Sequence, residues 1–259
     1  GLVPALIRCQ QLGRKVILSQ QNQAEASLIG QLDASLALNL AQICRHFNGG
    51  EALKLAEPQV STDSPQHALD LSEVLGQTQA KRALEIAATG AHHLLMMGPP
   101  GTGKSMLAQR MNTLLPEMNE EEALQTLSIH SISNNGSLSL STWKQRPFRN
   151  PHHTVSGIAL VGGGSHPKPG EISLAHNGVL FLDELTEFDR KTLEVLREPL
   201  ETGQIHISRA ARQATYPALF QLVAAMNPCP GDCTSIQACS CSNEQLARYK
   251  NKLSAPLLD

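Results

Sequence analysis

"HHLLMMGPPGTGKSMLAQRMNTLL", His92–Leu115, decides how the rest of the chain is read. It opens with a short apolar strand, passes through a glycine-rich turn and continues with apolar residues at helical spacing. Gly98–Ser105 matches G-x-x-x-x-G-K-[ST] in the strand-then-helix context that a phosphate loop needs. Gly98, Gly101 and Gly103 let backbone amides turn toward phosphate oxygens with no Cβ in the way. Lys104 supplies a point charge for the β- and γ-phosphates, the Ser105 hydroxyl is a ligand for Mg²⁺, and the helix N-terminus adds its positive end. Gly98, Pro99, Pro100, Gly101, Thr102, Gly103, Lys104 and Ser105 together form the candidate ATP-binding segment. The competing reading is an ordinary Gly/Pro-rich turn before a helix.

Two further strands carry polar groups at their ends. "GVLFLDE", Gly178–Glu184, runs from apolar residues into two carboxylates. Asp183 suits the outer shell of Mg²⁺, and Glu184 suits polarising an attacking water, which argues for hydrolysis. Alone, the pair would be two solvated acids at a strand end. "FQLVAAMN" ends in Asn227, which could orient the water and touch the γ-phosphate; otherwise it is a strand-end cap.

Strands alternating with helices, among them "GQTQAKRALEIAATG" and "RKTLEVLREPLETG", predict an α/β fold with a mostly parallel sheet covered on both faces. Before it, residues 1–50 read as helix, strand, helix. Residues 51–66 are polar with two prolines and read as a linker, which leaves 67–259 as the main domain. The 259 residues are 41% hydrophobic and only 3% aromatic, so the core is aliphatic. Lys plus Arg number 21 and Asp plus Glu 23, a net charge of −2, so any nucleic-acid binding must come from a local patch. No apolar run reaches the ~20 residues of a membrane span, and no N-terminal signal pattern is present. These absences point to a cytoplasmic protein with no membrane partner. The chain starts at Gly1 and stops at "SAPLLD", and we expect a piece of a longer protein.

"GPPGTGKS", "GVLFLDE" and Asn227 resemble the Walker A, Walker B and sensor 1 elements of AAA+ ATPases. "RPFRNPHHTVSGIALVGGGSHPKPGEISLAHNGVLFLDEL" and "ISRAARQATYPALFQLVAAMNPCP" are similar to the magnesium-chelatase-like branch of that superfamily. The resemblance implies an AAA+ large subdomain over 67–259, with the lid and the arginine finger missing. It also implies that residues 1–50 are the end of a Lon-protease-like domain of the ribosomal protein S5 domain 2 type. "GLVPALIRC" has no lysine before Lys15, so no peptidase activity is expected of it. For function, it implies a Mg²⁺-dependent ATPase with Lys104, Glu184 and Asn227 as catalytic groups. The expected assembly is a hexameric ring acting as a DNA branch-migration helicase in recombination during natural transformation. The alternative is a chelatase-type ATPase remodelling a protein partner without DNA.

The residues offer two places for DNA. "GQIHISRAARQATYPA", Gly203–Ala218, reads as a hairpin with Arg209 and Arg212 near its tip. Arginines there would meet phosphates without reading bases; otherwise this is an edge hairpin kept soluble by arginine. In related helicases such a hairpin enters the central pore. The second place is the basic run Lys144, Arg146, Arg149, His152 and His153, followed by three glycines; its competing reading is a solvated loop. As neighbours in sequence, His152 and His153 make a weak metal pair.

"NPCPGDCTSIQACSCS", Asn227–Ser242, holds Cys229, Cys233, Cys239 and Cys241, spaced C-x₃-C-x₅-C-x-C. Four thiolates suit tetrahedral zinc, with unligated thiols or a disulfide as the other readings. The family's cluster begins in most members as Cys-Pro-Cys-Gly, so "CPGDC" implies one cysteine displaced to position 233. Cys9 and Cys44 lie on apolar faces and are expected in the core.

Overall fold

The computed structural model describes residues 1–57, 69–133, 143–164, 167–209, 212–231, 233 and 239–254. Most of the expected linker, 58–66, and the closing residues 255–259 lie outside them. The chain divides into two compact units, one of residues 1–66 with 120–143 and one of 67–119 with 144–259.

The first unit contains α1 (Val3–Gln11), β1 (Val16–Ser19), α2 (Gln23–Ser27), β2 (Ala34–Ala37), α3 (Leu40–Phe47) and β3 (Lys54–Leu55). From later in the chain it takes α6 (Glu120–Ile132). β1 and β2 pair in parallel, and β3 pairs antiparallel with β2. Lys54 and Leu55, inside the expected linker, are therefore strand. α1 carries Pro4 in its first turn, which costs nothing where the first amides have no helical partner. Val3 and Leu6 of α1 pack with Ala26, Ile29, Ala34 and Leu127 of α6. That apolar contact draws 120–143 away from the sequence neighbours with which 67–259 was grouped. Cys44 is exposed and Cys9 only partly buried, so neither is core. Cys44 falls on an exposed position of the short helix α3.

The second unit contains α4 (Thr78–Gly90), β4 (Leu94–Met97), α5 (Lys104–Met111), β5 (Phe148–Arg149), α7 (Gly157–Val161), β6 (Gly162–Gly163), β7 (Lys168–Pro169), α8 (Glu171–Leu174) and β8 (Val179–Leu182). It continues with α9 (Arg190–Glu194), α10 (Arg197–Thr202), β9 (Gln204–Arg209), β10 (Arg212–Pro217), β11 (Gln221–Met226) and α11 (Asn243–Lys250). Its main sheet runs β4-β11-β8-β5, every pair parallel. Each of its strands is reached from the one before through helices, the connection a parallel pair demands.

β8 and β11 lie at the centre and are buried along their whole length, so their sequences are apolar without alternation. One face of the sheet packs Val179, Phe181, Val223 and Ala225 against Leu84 and Ala87 of α4 and Leu107 and Met111 of α5. The other packs Leu180, Leu182, Leu222 and Ala224 against Leu193, Leu196 and the hairpin residues Ile205 and Ile207. Replacing a fully buried side chain such as Leu84 by Ala would cost about 2–5 kcal/mol.

"RKTLEVLREPLETG" forms two short helices rather than one. Pro199 has no N–H to give the carbonyl of Val195 and its ring crowds that carbonyl, so the helix breaks between α9 and α10. No helix among the described residues is long and apolar enough to cross a membrane.

Candidate active site at the strand ends

In a parallel sheet all strands point their carboxyl ends the same way, and loops there converge on one crevice. The loop after β4, the acids after β8 and Asn227 after β11 all leave at that edge. They line one cleft of about 380 Å³, with Pro100, Gly101, Thr102, Gly103, Lys104, Ser105, Met106, Asp183, Glu184, Met226 and Asn227 in its walls.

The phosphate loop is shaped by glycines at two places only. Gly101 (φ +76°) and Gly103 (φ +82°) sit in the left-handed region, and Gly103 caps the start of α5. Gln77 Nε2 donates to the Thr102 carbonyl at 3.0 Å, and the Thr102 hydroxyl to the Pro99 carbonyl at 2.9 Å, which fixes the curve. Lys104 Nζ donates to the carbonyls of Gly98 (2.7 Å) and Pro99 (2.9 Å) and to Asn227 Oδ1 (3.1 Å). Burial pushes its ammonium below the ordinary lysine value, and Asp183 pulls it partly back. The Ser105 hydroxyl donates to Asp183 Oδ2 at 2.5 Å. Hydroxyl and carboxylate thus converge as a pair of hard oxygen donors, the set that Mg²⁺ prefers.

Glu184 follows β8 in a left-handed conformation (φ 52°, ψ 48°), unusual for a residue with a Cβ. Its N–H donates to Asp183 Oδ1 at 3.0 Å. Its carboxylate lies 3.0 Å from His153 Nδ1. The His153 ring lies tilted against His152 with centroids 4.1 Å apart and meets Phe188 edge-on at 6.4 Å, so its position is set from both sides. Sequence reasoning weighed His153 as half of a weak metal pair and as one member of a basic run, not as a partner of Glu184. Its link to Glu184 spans 31 positions and leaves no trace in local spacing.

Behind Asn227, Tyr249 of α11 donates its hydroxyl to the Asn227 carbonyl at 2.9 Å and accepts from Thr186 at 2.8 Å. Tyr249 is another residue that the sequence did not single out.

The other candidates fall as follows. β9 and β10 form the expected antiparallel hairpin, with Ile205 and Ile207 buried and Arg209 directly opposite Arg212. Arg212 is exposed; the tip residues 210–211 lie outside the described residues. The basic run is largely occupied. Arg149 makes a two-armed ion pair with Glu171 at 2.7 and 2.8 Å, and Arg146 donates to the carbonyls of Pro116 and Asn177. Those two arginines hold loops together, a use of charge that composition does not reveal.

The four cysteines come together, with all four sulfurs within 4.8 Å of one another. Burial pushes the Cys229 thiol up, whereas a backbone bond from Ser240 pulls the Cys233 thiol down.

A parallel sheet with a phosphate loop, a strand-end acid pair and a strand-end asparagine around one cleft is a P-loop NTPase core of the AAA+ type. The chain belongs to the magnesium-chelatase family: the model described as "Magnesium chelatase, subunit ChlI" matches residues 70–259. It is 51% identical over 261 residues to "Uncharacterized protein YifB" of Escherichia coli, covering all of this chain and 51% of that protein. It is also 51% identical over 263 residues to "Competence protein ComM" of Haemophilus influenzae, covering all of this chain and 52% of that protein. A more distant relative is a "Magnesium-chelatase 38 kDa subunit" of Rhodobacter capsulatus, 27% identical over 198 residues, 70% of this chain and 56% of that one. The chain spans about half the length of these curated relatives.

Proposed function

We propose that the protein is the ATP-hydrolysing core of a DNA motor. The observation that carries the chemistry is the convergence of Lys104, Ser105, Asp183, Glu184 and Asn227 in one cleft at the ends of three neighbouring parallel strands. The amides of Gly98–Ser105 and the Lys104 ammonium bind the β- and γ-phosphates of ATP. For this, Lys104 exchanges the carbonyls of Gly98 and Pro99 for phosphate oxygens, an exchange favoured by the fuller negative charge. Ser105 and Asp183 would hold Mg²⁺, which when bound neutralises charge on the phosphates. Glu184 orients a water and takes its proton, and Asn227 fixes the γ-phosphate side through its amide. His153 keeps the Glu184 carboxylate in place.

The DNA part rests on the hairpin and on the 51% identity to a protein named for competence. Arg209 and Arg212 stand at one register position of the hairpin, and Arg212 is exposed, so this end of the ribbon brings positive charge to a polyanion. We infer sequence-independent contact with branched or single-stranded DNA, made by a hexameric ring of this chain during recombination of incoming DNA, with ATP and Mg²⁺ as cofactors. Residues 1–50 we read as the end of a Lon-protease-like domain without peptidase activity.

The test is ATP hydrolysis by the full-length protein with and without a four-way DNA junction. The reading expects turnover that depends on Lys104 and Mg²⁺ and rises with the junction, and strand exchange that stops at high salt. Turnover indifferent to every DNA, but stimulated by a protein partner, would instead favour a chelatase-type remodeller.

A further inference from the structure

Outside the cleft, the densest set of reactive side chains among the described residues is the cysteine set. Cys229 follows β11 and is buried, and Cys241 directly precedes Ser242, the N-cap of α11. Ser242 and Gln245 form a reciprocal cap there, so the helix start is rigid. We propose that Cys229, Cys233, Cys239 and Cys241 bind one structural zinc ion that ties the end of β11, and with it Asn227, to the start of α11.

Three observations carry this. First, zinc–sulfur bonds of ~2.3 Å in a tetrahedron place the sulfurs ~3.8 Å apart. The four sulfurs already lie within 4.8 Å of one another, and no two of the six cysteines are bonded. An iron–sulfur cluster, also held by four thiolates, would put several irons and sulfides between them and hold them farther apart than one ion does.

Second, the backbone leaves room for sulfur where a side chain would intrude. A Cβ on Gly231 would stand 3.0 Å from Cys241 Sγ and 3.5 Å from Cys233 Sγ. Gly231 therefore sits against the sulfurs where a larger residue would crowd them. Third, four protein ligands with none left for water make a closed site, the pattern of structural rather than catalytic zinc.

The consequence follows from what lies beside the sulfurs. Cys229 is two residues from Asn227, while α11 reaches back through Tyr249 to the Asn227 carbonyl. The ion and the Tyr249 hydroxyl would clamp the same strand end from two directions. Binding needs no oxidant: the thiols release their protons and Zn²⁺ offsets the charge.

The test uses full-length protein purified under reducing conditions without chelator. We expect about one zinc per chain by elemental analysis. The Cys239→Ser/Cys241→Ser double variant should lose it. Cobalt(II) exchanged into the wild type should show thiolate charge-transfer bands and the strong d–d absorption of a tetrahedral sulfur site. Gly231→Ala keeps all four ligands and should surrender zinc faster to a competing chelator. Wild-type zinc no higher than in the double variant, or cobalt without thiolate bands, overturns the site. The effect on turnover rests on the ATPase reading, whereas metal content does not. If zinc is present, its loss should lower kcat several-fold with little change in KM for ATP. Unchanged kcat in a folded, zinc-free variant overturns the clamp while leaving the metal in place.

Discussion

The strand-end cleft and the β9–β10 hairpin both carry charge, and they hold it in opposite ways. In the cleft every key group is engaged: Lys104 with two carbonyls and Asn227, Ser105 with Asp183, and Glu184 with His153. On the hairpin, Arg212 is exposed and makes no ion pair among the described residues. Groups fixed in advance in a half-enclosed cleft can discriminate geometry, because little reorganisation is left for the reaction. An exposed arginine such as Arg212 attracts any phosphate chain and is screened by salt. The first arrangement suits chemistry and the second suits grip, so damage to the two should differ in size and in kind.

The largest effect is expected at the loop. Lys104→Ala removes a charged donor that no neighbour replaces, so ATP binding should fall below detection in filter or fluorescence assays and turnover should drop ~10²–10³-fold. If Lys104→Ala bound ATP as the wild type does, the cleft would lose its claim to be specific.

Next comes His153. Its polar contact among the described residues is with the Glu184 carboxylate, so His153→Ala should lower kcat about tenfold, a part of the ~10²–10⁴ that a positioned acid–base group supplies. KM for ATP should stay near the wild-type value, and His153→Gln, which can still donate to the carboxylate, should recover much of the rate. A rise in KM at constant kcat would mean that His153 serves binding instead.

These two predictions mark what the sequence could and could not say. The phosphate loop, the acid pair and Asn227 were legible because each depends on fixed local spacing and on a neighbouring apolar strand. The parallel sheet followed from strands alternating with helices. His153 and Tyr249 were not legible, because their partners lie 31 and 22 positions away and nothing local marks them. Arg149 was misleading for the same reason: Glu171, its ion-pair partner, is brought alongside by the fold and turns a basic run into scaffold. The attachment of 120–143 to the first unit depends on which apolar faces meet, and the apolar pattern of α6 alone does not name its partner.

On the hairpin, removing both Arg209 and Arg212 should weaken DNA binding by a few-fold at moderate salt, equally across sequences. The slope of log affinity against log salt should fall by about 2, about 1 per phosphate-contacting cation. ATP turnover without DNA should be untouched. By contrast, Arg149→Ala should lower thermal stability and leave the salt slope unchanged. A reversal of those two outcomes would exchange the roles given to hairpin and basic run.

The smallest effect concerns the frame behind the cleft. His93 Nδ1 accepts the N–H of Leu222 at 3.0 Å and so joins the start of β4 to β11. Partial burial and then His92 lower its pKa from the ordinary 6.5. A lowered folded-state value means the unfolded chain holds more protons in the window below 6.5, so stability rises with pH there and is lost on acidification. The melting temperature should fall modestly as pH drops through that window, and His93→Gln should flatten this dependence. An identical pH profile in the variant would remove His93 from the account.

The most direct test of the central claim is Glu184→Gln in the full-length protein, followed by ATP binding and turnover in parallel. The geometry expects ATP affinity within a few-fold of wild type, because Glu184 stands apart from the loop that grips the phosphates. It expects turnover reduced at least ~10²-fold, because the amide cannot take a proton from water. Hydrolysis at the wild-type rate with binding intact would contradict the assignment of this cleft as the site where ATP is cleaved.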